Sequence, residues 1–189
     1  WRTKRILDIM VGLLGLTVCA PLMLLIATAI KVCAPKAPVF YNQERVGQFG
    51  KTFLMHKFRT MHQDAESLSG AVWSAADDPR ITRIGRVLRK FRLDELPQFI
   101  NILRGDMSMV GPRPHPTYEV REYKNWYHRR LDVKPGLTGW SKLNLRLTPK
   151  NYEESILFDL WYVDNWSLLL DIRIILLTVP FVLLMKDAQ

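Results

Sequence analysis

Two adjacent carboxylates, Asp94 and Glu95, stand in the stretch FRLDELPQF at residues 91–99, with Arg89 and Arg92 just upstream. A carboxylate set among cations stays ionised at neutral pH and can act as a nucleophile or bind a divalent metal. A phosphate also binds well where arginines meet the free N–H groups of a helix N-terminus. The pattern therefore predicts chemistry on a phosphorylated substrate.

Helix capping is the alternative role for the acid pair. The apolar residues that follow recur with a helical period, Pro97 is tolerated in a first turn, and Gly105 is a typical stop. A helix is therefore predicted from Asp94 or Glu95 to about Arg104. Acidic residues are favoured at such an N-terminus, so chemistry alone supports capping and catalysis equally.

A divalent metal is expected if the pair is catalytic, because an ionised carboxylate and a phosphate repel each other. Mg²⁺ is the ion typically held by one or two carboxylates together with substrate phosphates. Asp94 and Glu95 are therefore the predicted metal ligands.

Cations elsewhere in the chain have the spacing to grip a diphosphate. Lys57 and Arg59 alternate in a strand-like run and so point the same way, although edge strands also carry such charges for solubility. Arg113 is held between Pro112 and Pro114, so it loses little entropy on binding an anion. Structural rigidity explains these prolines equally well.

A hairpin and several short helices must position these residues. Residues 39–61 hold two runs of aromatic and β-branched residues around a GQFG turn, which predicts a β-hairpin. Residues 80–91 combine an apolar stripe with a basic side, typical of an amphipathic helix. Residues 62–79 predict a helical turn and a loop, a candidate lid. The KPGLTGW segment at 134–140 predicts a type II turn.

The composition points to an anionic partner. The 189 residues include 27 Lys and Arg against 18 Asp and Glu, a net charge of +9. Nucleic acid, an acidic membrane or a phosphorylated substrate would fit, and two long apolar segments favour the last two. Cys19 and Cys33 form no C-x-x-C pair, which argues against a disulfide scaffold or a zinc site and favours a reducing compartment. The first residue is Trp1, so we expect a fragment of a longer chain.

The first apolar segment, residues 9–30, is 22 residues without a charge. As a straight helix it would be about 33 Å long, enough to cross a bilayer. Pro21 interrupts it, and basic residues flank both ends, which places both ends on the cytoplasmic face. This predicts a re-entrant helix broken at Pro21, with an ordinary anchor kinked at the proline as the alternative.

The last apolar segment, within residues 152–185, is interrupted by Asp171 and Arg173, which makes a spanning helix costly. It carries three aromatic residues of the kind found at headgroup level: Trp161, Tyr162 and Trp166. We predict interfacial amphipathic helices, with a buried core helix as the alternative. The fold class is α+β and mostly helical. The regions are a membrane helix (1–36), a catalytic region (37–150) and interfacial helices (151–189).

Four segments together resemble the bacterial sugar transferase family of monotopic polyprenyl-phosphate phosphoglycosyl transferases. They are KFRTM at 57–61, the run from Asp78 to Pro114, KPGLTGW at 134–140 and YVDNWSLLLDI at 162–172. The resemblance implies transfer of a sugar-1-phosphate from a UDP-sugar to polyprenyl (undecaprenyl) phosphate, with UMP released. This is the first membrane step of exopolysaccharide, capsule, O-antigen or glycan synthesis.

The resemblance also implies residue roles. Asp94 attacks the phosphorus next to the sugar and forms a covalent phosphosugar intermediate, Glu95 is its partner, and Mg²⁺ is required. Arg89 contacts phosphate. The segment Pro112, Arg113 and Pro114 binds the nucleotide or its phosphates. A re-entrant N-terminal helix broken near a proline is also typical of the family.

This chain departs from the family pattern in two places. Many members have Ser before the proline of the membrane helix, where this chain has Ala20 and then Pro21. After KPGLTGW, Lys142 and Leu145 stand where Gln and Gly are usual, and Arg146 is kept as an expected phosphate-binding residue. Leucine adopts positive φ less cheaply than glycine, so the loop geometry and the sugar preference are not carried over.

The expected partners are a UDP-sugar, polyprenyl phosphate and membrane lipid, without nucleic acid, at the cytoplasmic face of the bacterial inner membrane. The oligomeric state stays open, a dimer included. The rival interpretation is a non-catalytic module that binds acidic lipids through the basic helix. Such a module needs the arginines but has no use for Asp94 and Glu95. A nucleic-acid-binding protein is less favoured, because it would not need two apolar segments.

Overall fold

The computed structural model describes residues 2–65, 78–145 and 151–184, with side chains up to residue 180. Most of the predicted lid (residues 66–77) and the predicted phosphate ligand Arg146 lie outside these ranges. The helices are α1 (Arg2–Cys33), α2 (Arg83–Lys90), α3 (Gln98–Arg104), α4 (Thr117–Arg121), α5 (Trp140–Asn144), α6 (Tyr152–Asp164) and α7 (Leu168–Leu184). The strands are β1 (Phe40–Val46), β2 (Thr52–Phe58), β3 (Ser108–Val110) and β4 (Gly136–Thr138). Short 3₁₀ segments cover Gln48–Gly50, Leu93–Glu95 and Asn125–Asp132.

The predicted hairpin is confirmed. Strands β1 and β2 pair antiparallel with Phe40 opposite Phe58 and Val46 opposite Thr52. Met55 and Phe58, on opposite faces of β2, are both buried and belong to two different apolar clusters, whereas Leu54 is exposed. Each face of the hairpin therefore contributes to the core. The class of the described fold is therefore α+β and mostly helical, as the sequence predicts.

A second, parallel pair joins β3 to β4, with Ser108 opposite Gly136. The type II turn predicted at Gly136 is wrong, because that turn requires positive φ at its glycine, and Gly136 does not have it. The glycines serve close backbone approach instead. A Cβ on Gly136 would lie 2.1 Å from the backbone nitrogen of Gly111. The Pro-Gly sequence predicted a turn, whereas Gly136 allows the backbones of two strands to pack closely.

Helix α1 is the one element of the described chain that is long and apolar enough to cross a membrane. Its helical assignment continues through Pro21, so the break predicted there stays a prediction. Near its start, Arg5 Nη1 donates to the Ile102 carbonyl oxygen of α3 at 2.6 Å. Near its middle, Gly15 packs so closely on α3 that a Cβ would lie 2.6 Å from the Phe99 ring. Near its end, Ile26 and Ile30 join a buried cluster with residues of β2 and α2. Both ends of α1 therefore contact the same folded unit.

A buried polar cluster joins α1 to α7. Lys4 Nζ donates to Asp171 Oδ2 at 2.6 Å and to the carbonyl oxygen of Val110 at 3.0 Å. The Tyr162 hydroxyl donates to Asp171 Oδ1 at 2.6 Å. Tyr162 is only 1% exposed, so its predicted place at headgroup level is wrong. Its hydroxyl and aromatic body are both used inside the core, which the sequence pattern did not reveal.

Helices α6 and α7 therefore mix the two alternatives for the last apolar segment. Ile156, Asp159 and Tyr162 of α6 are buried, as in a core helix. Helix α7 buries Asp171 and Ile174, yet exposes a set of large apolar side chains: Leu169, Ile172, Leu176, Leu177 and Val179. The buried side explains how α7 tolerates Asp171. The interfacial position of these helices stays a prediction.

Candidate active site

Asp94 and Glu95 lie in a 3₁₀ turn, Leu93–Glu95, which is separate from α3. The predicted helix start at the acid pair is therefore wrong, because α3 begins only at Gln98. Pro97 has no N–H with which to continue the ladder, so the chain re-initiates after it. Neither acid caps a helix, since Pro97 holds the N-cap position of α3 without a side-chain bond. Capping therefore does not explain the pair.

Arg92 immediately precedes this turn with φ 53° and ψ 23°, the left-handed region that non-glycine residues rarely adopt. Its Nε is buried without a hydrogen-bond partner among the described residues. Such strain is concentrated at functional sites, where surrounding structure holds it in place. The conformation turns the chain sharply out of α2 and into the acid pair.

Helix α2 carries Arg89 to the site by docking on Thr60. The Thr82 side chain caps α2 by accepting from Gly85 N at 2.9 Å, and it donates to the Thr60 carbonyl oxygen at 3.1 Å. A Cβ on Gly85 would lie 1.9 Å from that oxygen, so only glycine allows this approach. Arg89 Nε then donates to Thr60 Oγ1 at 2.9 Å. The positive charge of Arg89 also favours the ionised form of Asp94.

Two lysines from different elements hold Glu95. Lys142 Nζ, from α5, donates to Glu95 Oε2 at 3.1 Å, and Lys57 Nζ, from β2, lies 3.8 Å from Oε1. The side chains of Glu95, Lys57 and Lys142 are 13%, 17% and 15% exposed, so all three are largely removed from water. Burial, together with the charges of Arg113 and Arg92, outweighs the opposing charge of Glu95 and lowers the pKa of Lys142 to about 8. Glu95 is thus fixed by charge.

The two carboxylates have different environments. Burial alone would raise the pKa of Glu95, but the surrounding lysines and arginines outweigh it and hold that pKa well below its usual range. Burial and the adjacent Glu95 charge raise the pKa of Asp94 above its ordinary value. Within the described chain no ion pair includes Asp94, whose carboxylate accepts a hydrogen bond from its own backbone N–H. Environments that push the pKa values of two neighbouring carboxylates apart are typical of sites in which the two acids have different catalytic roles.

Arg113 reaches the site from a segment without regular structure. Hydrogen bonds to the backbone of this segment hold it in place. Arg130 Nη2 donates to the Arg113 carbonyl oxygen at 2.8 Å, and Arg45 Nη1 donates to the Pro114 carbonyl oxygen at 3.2 Å. Arg113 itself is half-buried, and its charge lowers the pKa of Glu95. Its guanidinium has no ion-pair partner in the described ranges. The segment is both rigid and able to present a cation, so the two alternatives are compatible.

Arg130 belongs to a buried cluster behind that segment. It pairs with Asp159, and its Nη1 lies 2.9 Å from His115 Nδ1. The hydroxyls of Tyr123 and Tyr152 lie 2.8 and 3.0 Å from the same nitrogen. Because arginine only donates, His115 Nδ1 accepts and the ring is neutral. Burial and then the charge of Arg130 hold the pKa of His115 well below its usual value.

The structure gathers most of the predicted cations around the acids. Lys57, Arg89 and Arg113 all contribute charge there. Arg59 instead donates to the Pro38 carbonyl oxygen at 2.9 Å and lies over the Tyr41 ring, so its observed contacts are elsewhere.

Two residues of the site, Arg92 and Lys142, were named in the sequence but not predicted as site residues, Arg92 as a neighbouring cation and Lys142 as a departure from the family pattern. Arg92 is the cation two residues before Asp94, and Lys142 is a lone charge in the uncharged run from Gly136 to Leu145. A lone lysine in such a run is a candidate for a buried charge, which needs an acidic partner.

The protein supplies two adjacent carboxylates for a metal. No group of three or more His, Cys, Asp or Glu side chains suited to a metal occurs in residues 2–65, 78–145 and 151–184. Mg²⁺ does not need one, because it is commonly held by one or two carboxylates with phosphate and water completing its shell. The donor set of Asp94 and Glu95 therefore fits Mg²⁺ bound together with a phosphorylated substrate.

The acid pair and its surrounding cations form a site suited to chemistry on phosphate groups, and the sequence comparison shows the family. The chain belongs to the bacterial sugar transferase family, whose family model matches residues 1–185.

Individual relatives cover nearly the whole chain. The galactosyl transferase CpsE of Streptococcus agalactiae is 40% identical over 196 residues, which cover 98% of this chain and 43% of that protein. The uncharacterized sugar transferase EpsL of Bacillus subtilis is 40% identical over 186 residues, covering 98% and 90%. The UDP-glucose:undecaprenyl-phosphate glucose-1-phosphate transferase of Escherichia coli is 41% identical over 183 residues, covering 93% and 39%. The chain thus spans less than half of two relatives and most of the third.

Proposed function

We propose that this chain transfers a sugar-1-phosphate from a UDP-sugar to a polyprenyl phosphate, forming a polyprenyl-diphosphate-sugar and UMP. The single observation that carries the proposal is the asymmetric acid pair, in which Glu95 is held by two lysines while the adjacent Asp94 forms no ion pair among the described residues. The names of several relatives, which specify UDP-glucose and undecaprenyl phosphate, support the substrate class. In the cell this would be the first membrane step of a polysaccharide pathway.

The reaction divides into two displacements at one phosphorus atom. In the first, an Asp94 carboxylate oxygen attacks the phosphorus next to the sugar, the bond from that phosphorus to the bridging oxygen breaks, and UMP leaves. In the second, an oxygen of the polyprenyl phosphate attacks the same phosphorus, and the bond to Asp94 breaks. Asp94 suits the attacking role because it has no ion-pair partner among the described residues.

The surrounding residues bind and orient the diphosphate. Arg89, on α2, and Arg113, in the segment after β3, present cations to the site, and charged hydrogen bonds to phosphate are shorter and stronger than neutral ones. Asp94 and Glu95 would hold Mg²⁺, which when bound neutralises phosphate charge. Glu95, fixed by Lys57 and Lys142, keeps its place while the charge at phosphorus changes.

The proposed site of action is the cytoplasmic face of the inner membrane. Helix α1 would be ~48 Å long if straight, and both of its ends contact the same folded unit. The ends are therefore best placed on one side of the bilayer, as in a re-entrant helix, rather than on opposite sides. Gly12 and Gly15 pack α1 against α3, the helix that directly follows the acid pair. This packing supports a site close to the membrane, where a lipid phosphate lies.

A UMP-release assay tests the function. The purified protein would be incubated with polyprenyl phosphate, Mg²⁺ and each of a panel of UDP-sugars, and UMP would be measured. We expect UMP from at least one sugar. Release of more than one UMP per enzyme molecule should require the lipid acceptor. If no sugar in the panel gives UMP while the protein still binds acidic lipid, the non-catalytic module is favoured instead.

A further inference from the structure

Lys142 connects three parts of the fold at the acid pair. Its Nζ donates to Glu95 Oε2 at 3.1 Å and to the Leu137 carbonyl oxygen of β4 at 2.6 Å. Helix α5, which carries Lys142, begins at Trp140, whose ring stacks on Trp161 of α6 with centroids 4.9 Å apart. The ammonium is therefore placed by a strand and a stacked helix rather than by a free surface chain.

Lys142 is the closest cation to Glu95 in the described structure. Lys57, at 3.8 Å from the other carboxylate oxygen, lies outside hydrogen-bond distance. Lys142 thus supplies the directional contact and Lys57 a looser attraction. The charge of Lys57 also acts on Asp94, which has no side-chain partner of its own. If Lys142 were absent, Lys57 would be shared between two acids without a fixed geometry.

We propose that Lys142 is a positioning residue for the transfer reaction. It holds the Glu95 carboxylate by a charged hydrogen bond, so that Asp94 stays unpaired and directed at the substrate. The inference rests on the proposed function. A glutamine at this position would supply a neutral donor in place of the charged one.

Substitution of Lys142 separates positioning from substrate binding. The Lys142→Met variant keeps the length of the side chain but removes its charge and donor. Misplacing a catalytic group lowers the rate of the chemical step more than substrate affinity. We expect kcat to fall about 10- to 100-fold, while KM for the UDP-sugar changes less than about threefold. The Lys142→Arg variant should recover most of the lost kcat, because it keeps the charge and the donors.

Lys124 provides a matched control. It forms an ion pair with Glu153 at 2.6 Å, but its side chain is 59% exposed and lies away from the acid pair. Lys124→Met should leave kcat and KM unchanged. Thermal unfolding of all variants, followed in the same detergent, establishes that Lys142→Met is folded. If it is not, the comparison of Lys142→Gln with Lys142→Arg carries the test, with Arg expected to be the more active.

A double variant distinguishes action through Glu95 from an independent role. In a Glu95→Gln background, Lys142→Met should cause less than a further twofold loss, because the residue it positions is already changed. Fully additive losses would overturn the proposal. So would a rise in KM with kcat unchanged, which would make Lys142 a substrate ligand, or no change in either constant. An inactive wild type would overturn the proposed function as well, whereas an active wild type with an unaffected Lys142→Met overturns this inference alone.

Discussion

The ammonium of Lys4 lies 2.6 Å from the carboxylate of Asp171, and both side chains are almost completely buried. Lys4 is in the first turns of α1 and Asp171 in the first turn of α7, so the pair joins the two most apolar helices of the chain. The Tyr162 hydroxyl and Trp166 Nε1 also donate to Asp171. The two charges satisfy each other inside the fold, and neither is exposed to lipid.

Removing one partner of this ion pair should destabilise the protein strongly. Asp171→Ala leaves the Lys4 charge buried and uncompensated, which typically costs about 3–5 kcal/mol. For a chain of this size that corresponds to a fall in Tm of about 6–20 °C. Thermal unfolding in detergent measures it, with the exposed ion pair variant Lys124→Met as the control. A shift no larger than that of the control would contradict the structural role of the pair.

Asp94→Asn should abolish turnover while the protein stays folded. The amide keeps the shape of the side chain but is not a nucleophile, so no phosphosugar intermediate forms. Intact mass spectrometry after incubation with UDP-sugar, without lipid acceptor, should show an added sugar-phosphate on the wild type and none on the variant. Asp164→Asn, at an exposed ion pair with Arg129, is the control and should be labelled like the wild type. Full activity of Asp94→Asn would exclude it as the nucleophile.

Arg113→Ala should weaken use of the nucleotide sugar by about 10- to 100-fold, since a charge-assisted contact contributes about 1.5–3 kcal/mol. Because its backbone is held by Arg130, the segment should keep its position after the side chain is removed. Steady-state kinetics at varied UDP-sugar concentration measure the effect. The exposed Arg121→Ala variant is the control. If only Tm falls and the kinetics are unchanged, the segment serves rigidity alone.

The stability of the protein should fall on acidification through His115. Its pKa is lowered in the folded state, so below about pH 6.5 the unfolded chain binds a proton that the folded chain does not. Stability is therefore complete above that pH and is lost as the pH falls toward the folded pKa, by up to about 1.4 kcal/mol per pH unit.

Denaturation of wild type and His115→Gln between pH 5 and 7.5 isolates this contribution. Neighbouring groups such as Glu119, whose carboxylate lies 3.4 Å from His115 Nδ1, titrate in both proteins. The difference in slope therefore belongs to His115. Equal slopes in the two proteins would show that His115 is not the group responsible.

The membrane topology can be tested with single cysteines. In a background without Cys19 and Cys33, cysteines at the exposed positions Thr3 and Lys36 should both resist a membrane-impermeant maleimide added to intact cells. Both should react after the cells are opened, which serves as the control for accessibility. Labelling of either position from outside would show that α1 spans the membrane.

Local patterns predicted much of the fold. The hairpin, α2 and the stop of α3 at Gly105 follow from alternation, periodicity and residue type, each set within a few neighbouring residues. The β3–β4 pair did not, because three-residue strands carry too little pattern and their glycines resemble turn signals. The burial of Tyr162 depends on Lys4, 158 residues away, and no local pattern reports that distance.

The site, like the fold, was predicted only in part from the sequence. Asp94, Glu95, Arg89 and Arg113 were predicted from residue types and from the family resemblance. Lys142 was noticed only as a departure, because its partner is 47 residues away in sequence. The different environments of the two carboxylates arise from burial and three-dimensional contacts, so sequence spacing alone could not separate their roles.

The Lys4–Asp171 pair also imposes an order on biosynthesis. The two residues are 167 positions apart, and at ~5–20 residues per second the ribosome needs roughly 8–33 s to make the second after the first. Asp8 likewise must wait for Met109, 101 residues later. During translation the start of α1 therefore carries two charges whose partners do not yet exist. The packing of the first turns of α1 can be completed only when α7 has been synthesised and folds back onto α1.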